Sequence, residues 1–471
     1  MRTGNWLLPS LLTGAVLSAM RVIGGPVAAR QRDPGQPNIL LIVADDLGYG
    51  DLGCTGSPVV ETPYLDRLAS EGTQATQFYV NAPVCSPSRA SLLTGRWPHR
   101  YGIEDVLYMH DRRGLPAEEV TLAEVLQQHG YATALIGKWH LGKHNPFLPT
   151  RQGFQTFFGL LGGSHDYYTH WRADYYDLWR GESPVHNSLY TTEQLTAAAT
   201  ATIREMADRP EPFFLYLAYN APHEPLQAPD AYRQRYVGRI PDEKRQTYAA
   251  MITCMDESIG QVLYTVEQLG LRSSTLVLFL SDNGGQLRSG ASNYPWRGDK
   301  GDLLEGGVHV PLLARWPGHI RPGTETEALG CDADLFTTIL RAAHAPLPTD
   351  RIIDGENFLP ALTGRTRRGR EEICWRYQHQ RAIRAGDWKL VGIAGEPPAL
   401  YDLPVDRVEG TDLSGIYPEV VRELVGKWES FYGVRWDAGP ARPRPASRAR
   451  PAGPTTPRLR AQRRVPVPRA R

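Results

Sequence analysis

Four uninterrupted apolar runs constrain this chain more than any other feature: NILLIV at 38–43, ATALI at 132–136, FFLYLA at 213–218 and TLVLFL at 275–280. A short run with no polar alternation reads as a strand buried on both faces. Between the runs lie helical patterns at 64–71, 120–129, 191–208 and 243–269. Strands alternating with helices predict a largely parallel sheet covered on both sides. In such sheets ligands bind outside the carboxyl ends of the strands. Here every run ends in reactive side chains. The first leads into Asp45-Asp46, the second into Lys138-Trp139-His140, the third into Asn220-Ala221-Pro222-His223, and the fourth into Asp282-Asn283-Gly284-Gly285. One such ending is ordinary chance; four predict a shared site.

The residue types narrow the chemistry. Asp45, Asp46 and Asp282 are carboxylates, and Asn283 adds an amide oxygen. An all-oxygen set selects a hard cation, Ca²⁺ before Mg²⁺. Without a cation, three converging acids repel one another and their pKa values rise. Arg89, Lys138 and Lys300 are candidate cations for an oxyanion, Lys300 lying in the glycine-flanked stretch RGDKG at 297–301. His140 and His223 are candidate acid–base groups near neutral pH. Taken singly, each of these residues has a blander reading: a solvated turn pair, a surface charge, a hydrogen-bonded structural histidine. Cys85 is less ordinary. It stands in VCSPSRASLLTGR at 84–96, among polar residues, where a cysteine is usually buried as a small hydrophobe. The stretch predicts a tight polar turn at Cys85 and a helix whose first turn is 90–93. A helix N-terminus favours an anionic nucleophile or ligand.

Length and composition set the frame. The 471 residues allow two or three domains. Hydrophobic content of 41% and charged content of 22% fit a soluble globular chain. The formal charge of +1 is uneven, because residues 438–471 hold ten Arg and no acid, which leaves −9 on the rest. That Arg- and Pro-rich tail has no apolar period and is expected to be disordered. It lacks the aromatic interleaving of single-strand binders, so no nucleic-acid partner is expected. At the other end, Arg2 precedes a mostly apolar stretch at 6–20 and the small residues Val27-Ala28-Ala29. This reads as an export signal over 1–29, too short an apolar stretch to favour a stable membrane span, and predicts a periplasmic or secreted protein. The five cysteines are widely spaced, with no C-x-x-C, leaving one or two disulfides or buried free thiols equally open.

The stretch Cys85-Ser86-Pro87-Ser88-Arg89, four further residues, then Thr94-Gly95 resembles the sulfatase signature C-x-P-S-R-x-x-x-x-T-G without a departure. The likeness extends over PNILLIVADDLGYGDLGC, GKWHLG, GSHDYY, SDNGG, KGDLLEGGVHVPLLARWPG, RAIRAGDWKLV and LYDL, in order, across about 37–432. The chain is similar to arylsulfatases and N-acetylgalactosamine-6-sulfatases of the alkaline phosphatase superfamily. The resemblance implies an α/β fold: a large mixed, mostly parallel sheet between helices, with a smaller C-terminal antiparallel-sheet subdomain and a helix near 419–431. It implies a catalytic domain at 37–364, the subdomain at 365–436 and the tail from 437. It also implies that Cys85 is oxidised to formylglycine by a maturation enzyme. One hydroxyl of the hydrated aldehyde attacks the sulfur of a sulfate ester; the other then loses its proton and expels sulfate. A serine there would be left as a stable sulfate ester.

Carried over by motif, Asp45, Asp46, Asp282 and Asn283 bind Ca²⁺, and Arg89 steadies the nucleophile. His140 is the base for the second hydroxyl and His223 the acid for the leaving alcohol. Lys138, Lys300 and Ser164 hold sulfate oxygens. The expected substrate is a sulfate ester, aryl sulfates in assay and a sulfated glycan in nature, with specificity from loops such as 165–187 and 286–296. Three other readings compete: a phosphodiesterase or phosphonate monoester hydrolase of the same superfamily, a non-catalytic binder of sulfated glycans, and a cysteine hydrolase built on Cys85 and His140. The last gives no reason for three nearby aspartates.

Overall fold

The structure, a computed structural model, describes residues 35–438. The expected export signal, and all but the first two residues of the expected tail, lie outside the described residues. The main sheet has ten strands. In chain order they are β1 (Asn38–Ala44), β2 (Thr73–Ala75), β3 (Ala132–Lys138), β4 (Thr156–Leu160), β5 (Trp179–Arg180), β6 (Ser183–Pro184), β7 (Phe213–Ala218), β8 (Thr275–Ser281), β9 (Leu312–Arg315) and β10 (Thr324–Thr326). Their spatial order is β10-β2-β9-β8-β1-β7-β3-β4-β5-β6. The four apolar runs are thus immediate neighbours, β8-β1-β7-β3, all parallel.

Their burial explains the missing alternation. Ile39, Leu41 and Val43 enter the hydrophobic cluster on one face, and Leu40, Ile42 and Ala44 the cluster on the other. The first face is covered by α2 (Cys85–Thr94), α3 (Leu122–Gln128) and α6 (Asp332–Ala342). The second is covered by α1 (Pro63–Ser70), α4 (Thr191–Ala207) and α5 (Glu243–Gln268). The register aligns the strand ends: Val43 lies opposite Ala218 and Leu280, and Ala218 opposite Gly137. Gly137 is required there, since a Cβ would lie 1.8 Å from the Ala218 carbonyl oxygen.

A four-stranded antiparallel meander follows: β11 (Glu372–Tyr377), β12 (Gln380–Ala385), β13 (Trp388–Ile393) and β14 (Ala399–Asp402). Helix α7 (Pro418–Tyr432) packs on it, and Trp428 Nε1 donates to the Trp375 carbonyl at 2.8 Å. The large mixed sheet with a small antiparallel one is the alkaline-phosphatase-like α/β architecture the sequence led us to expect. The described cysteines are all free, which excludes disulfides among them. Among the described residues no helix is long and apolar enough to cross a membrane.

Candidate active site

Helix α2 differs from the sequence expectation. It begins at Cys85 itself, five residues earlier than the first turn read at Ala90, and every residue of it is buried. Ser, Pro and Cys are mediocre helix formers, but each hydroxyl here has a partner. Ser86 Oγ accepts from the Leu107 amide at 3.0 Å. Ser88 Oγ donates to Asp332 at 3.2 Å, and Asn81 Nδ2 donates to Ser91 Oγ at 2.7 Å. Pro87 falls in the first turn, where its missing N–H costs nothing. The helix ends at Gly95, whose left-handed φ of 66° suits glycine. Cys85 therefore occupies the first helical position, at the positive end of the helix dipole.

Arg89, one turn on, ties the helix to the strand ends. Its Nε donates to Asp282 Oδ2 at 2.8 Å, its Nη2 lies 2.7 Å from the same oxygen and 3.6 Å from Asp45 Oδ1, and Nη1 donates to the Lys138 carbonyl at 3.3 Å. Burial opposes its charge, but Asp282 and Asp45 more than offset this and raise its pKa. Lys138 Nζ donates to Asp45 Oδ2 at 2.6 Å. Lys300 Nζ lies 2.7 Å from both Asp46 oxygens and 3.5 Å from Cys85 Sγ. The Asp46 amide donates to Asp282 Oδ1 at 3.2 Å, and Asn283 Nδ2 to Asp46 Oδ1 at 2.7 Å. The eight residues form one connected network.

The cluster could hold a metal ion, through a donor set that includes Cys85 and His223 and not Asp282 or Asn283. Ligand atoms of Asp45, Asp46, Cys85 and His223 lie within 4.8 Å of one another. Asn283 Oδ1 is buried with no hydrogen-bond partner among the described residues, and Asp45 Oδ1 has none beyond the distant Arg89 pair. Burial raises the Asp282 carboxyl, with Asp45 and Asp46 adding to it and Arg89 opposing. Asp46 departs from the expected rise: burial lifts it, but Lys300, His223 and Lys138 outweigh burial and hold it well below the carboxylate range. Asp46 and His140 take left-handed φ values of 63° and 55°, an uncommon strain for side chains immediately after strands that re-aims them into the site.

The two histidines are pushed in opposite directions. His140 Nε2 lies 3.0 Å from the Leu107 carbonyl, so that nitrogen carries the hydrogen, leaving buried Nδ1 with a free lone pair. Burial, Lys138 and Arg89 hold its pKa well below the histidine range. His223 Nδ1 donates to the Glu224 carbonyl at 2.7 Å, and Nε2 faces Asp46 at 3.6 Å. Burial opposes its charge, yet Asp46 raises its pKa. For the Cys85 thiol, burial is overcome by Lys138 and Lys300, which bring it down to about 6.

A cavity of about 610 Å³ opens over this network, reached by Cys85, His140, His223 and Lys300. Lys138 is fully buried on Asp45 and does not line it. Ser164 is buried beside it, its hydroxyl accepting from Arg172. The segment 106–113 forms one wall of the cavity. Sequence reasoning missed that wall, which carries no motif, and gave no role to Asn220, whose buried amide has neither atom paired among the described residues.

The sulfatase family model matches residues 37–345. The chain belongs to the sulfatase family. A second model, that of the N-sulphoglucosamine sulphohydrolase C-terminal region, matches 294–425 of this sulfatase. Arylsulfatase J of Mus musculus is 33% identical over 462 residues, covering 84% of this chain and 76% of the relative. N-acetylgalactosamine-6-sulfatase of Mus musculus is 37% identical over 404 residues, covering 79% and 74%. Among solved structures, Ps i-CgsB in complex with k-i-k-neocarrahexaose superposes with a TM-score of 0.80 at 32% identity, covering 86% of this chain and 94% of that one. The sulfatase is a sulfuric ester hydrolase.

Proposed function

We propose that this enzyme hydrolyses sulfate esters of carbohydrates through a formylglycine made from Cys85 by a maturation enzyme, after export to the periplasm or outside the cell. One observation carries the reading: residue 85 begins a buried helix with Lys300 at 3.5 Å and three strand-end aspartates around it. The cations around residue 85 bring a thiol there down to about 6, so the charge setting alone does not separate a thiolate from an aldehyde; the match to the sulfatase family favours the aldehyde. A hydrated aldehyde supplies two hydroxyls on one carbon in place of the thiol. Asp45, Asp46, Asp282 and Asn283 would hold Ca²⁺, which supplies positive charge against the attacking and sulfate oxygens.

The other groups follow from their geometry. Arg89 and the N-terminus of α2 hold residue 85 and favour negative charge on it. Lys138 and Lys300, each now engaged by a proposed ligand carboxylate, are the cations for the sulfate oxygens, with Ser164 beside them. His223, raised by Asp46, keeps a proton on Nε2 for the leaving alkoxide. His140, neutral and with a free lone pair on Nδ1, accepts the proton of the second hydroxyl. Paired titratable groups pushed apart in this way mark the acid and the base.

Matured enzyme assayed against matched aryl sulfate, aryl phosphate and aryl phosphonate esters tests the reading. Sulfate turnover well above the other two is expected; turnover confined to phosphorus esters would overturn it.

A further inference from the structure

A second cavity of about 460 Å³ opens beside the first and shares Arg172, His223 and Glu224 with it. Its outer wall is Trp171, on a small hairpin that pairs Trp171–Arg172 with Tyr175–Tyr176. The indole is 47% exposed and is braced edge-on by Tyr176 at 5.3 Å. It offers the cavity a rigid apolar face with a polar tip, which suits the mixed surface of a sugar ring.

The charged groups of this cavity are unequally occupied. Asp166 accepts from the Tyr168 and Thr169 amides at 3.0 and 2.7 Å and from Gln227 Nε2 at 2.6 Å. Glu224 accepts from Ser289 Oγ at 2.6 Å and faces Arg288 at 3.6 Å. Arg172 makes no ion pair among the described residues, and its side chain donates only to Ser164 Oγ. A guanidinium has five donors, so most of its hydrogen-bonding capacity faces the opening. Arg172 is therefore the group of the second cavity with the most unused donors, beside Asp166, whose neutral donors leave its negative charge in place.

We propose that the second cavity is a subsite for the sugar ring next to the one that loses sulfate, with Trp171 stacked on that ring and Arg172 holding an oxyanion on it. The inference rests on the sulfate-ester reading above. His223, the acid for the leaving oxygen, borders both cavities, so the alcohol side of the ester faces the passage between them. The substrate class is an oligosaccharide of at least two rings, carrying a sulfate or a carboxylate on the neighbouring ring.

The test compares calcium-loaded, matured enzyme on 4-nitrophenyl sulfate and on sulfated disaccharides whose second ring is neutral, carboxylated or sulfated. Trp171→Ala should lower the ratio of disaccharide to aryl kcat/KM about tenfold, mainly through KM. Arg172→Gln should erase the preference for a charged second ring, about tenfold as for a lost charged hydrogen bond, and Arg172→Lys should restore most of it. The carboxylated and sulfated arms identify which oxyanion the subsite takes. Calorimetric binding of the same disaccharides to Cys85→Ala protein, with and without the Arg172 change, gives a readout without turnover. Binding that ignores both Trp171 and Arg172, or equal handling of neutral and charged second rings, overturns the subsite. Arg172-dependent binding combined with no aryl sulfate turnover by the matured enzyme overturns the sulfatase reading and leaves the subsite standing.

Discussion

Two clusters of buried charge lie near one another, joined where the Gly284 amide, next to Asn283, donates to the Gly307 carbonyl at 3.0 Å, and they differ in one respect. Between the main sheet and the meander, Lys389 Nζ lies 2.7 Å from Glu305 Oε1 and 3.0 Å from Glu409 Oε1. Glu305 Oε2 accepts from Tyr79 Oη at 2.6 Å and faces His309 Nδ1 at 2.9 Å, and Glu409 Oε2 accepts from the Glu305 amide at 2.7 Å. Arg384 closes the ring by donating to Tyr79. Two carboxylates meet two cations, and each carboxylate oxygen has a hydrogen-bond or ion-pair partner, Glu409 Oε1 having only the Lys389 ion pair. At the strand ends, three carboxylates meet Arg89, Lys138 and Lys300, so the charges also balance. Yet Asn283 Oδ1, His140 Nδ1 and the Asn220 amide are buried without hydrogen-bond partners among the described residues, and Asp46 and His140 sit at left-handed φ. Full pairing makes the first cluster a fastening between layers. Unspent oxygens and strain make the second a receptor. A divalent cation there would leave two positive charges in excess, which suits a sulfate ester and an ionised nucleophile.

Substitution should separate the two clusters. The largest expected effect is on activity: Cys85→Ser or Asp46→Asn should abolish detectable turnover of an aryl sulfate, while Lys389→Met should leave kcat within a few-fold. Stability should follow the reverse order. Removing Lys389 strands two buried carboxylates and should cost about 3–5 kcal/mol in denaturant unfolding, whereas Asp46→Asn, whose partner Lys300 reaches solvent, should cost less. A Lys389→Met protein as stable as wild type would break the comparison.

Calcium gives the next test. Ligand that binds only the folded state stabilises by about 2.7 kcal/mol at one hundred times Kd. Added Ca²⁺ should therefore raise Tm in wild type and in Lys389→Met, and not in Asp46→Asn. An equal rise in all three would place the cation elsewhere.

The two regions also differed in how much of them could be read from the chain. The strand ends were legible because burial on both faces leaves an unbroken apolar run, and the polar residue that ends it stands out. The parallel register then brings Asp45, Lys138, His223 and Asp282 together. The start of α2 was misread because Ser86, Pro87 and Ser88 carry turn propensities. Their hydroxyls are satisfied by Leu107 and Asp332, which are distant in sequence. The Glu305–Lys389–Glu409 cluster was illegible for the same reason: each member looks like a surface charge until the fold buries it. Trp171 and Arg172 lie within a loop marked for specificity, but exposed residues have no periodicity to single them out.

The smallest effects are in pH. Burial pushes His99, and His165 beside Ser164, down to about 3. Between pH 6.5 and 3 the unfolded chain binds protons that these folded histidines refuse, so stability should fall as pH drops through that window. Replacing His165 with Gln should flatten that slope; an unchanged slope would contradict the assignment. At the site, Lys138 and Lys300 should let unconverted Cys85, in calcium-free protein, alkylate with a midpoint near pH 6. A midpoint at the ordinary thiol value would contradict the cationic setting of the nucleophile.

The central claim is that the open cluster works through residue 85 as an aldehyde. The most direct measurement is the mass of the peptide containing residue 85, from enzyme co-produced with a maturation enzyme, together with aryl sulfate turnover by the same sample. The account predicts loss of sulfur and two hydrogens with gain of one oxygen, and turnover that rises in proportion to the converted fraction. Full turnover from a sample in which residue 85 remains cysteine, or full conversion with no sulfate turnover, would contradict it.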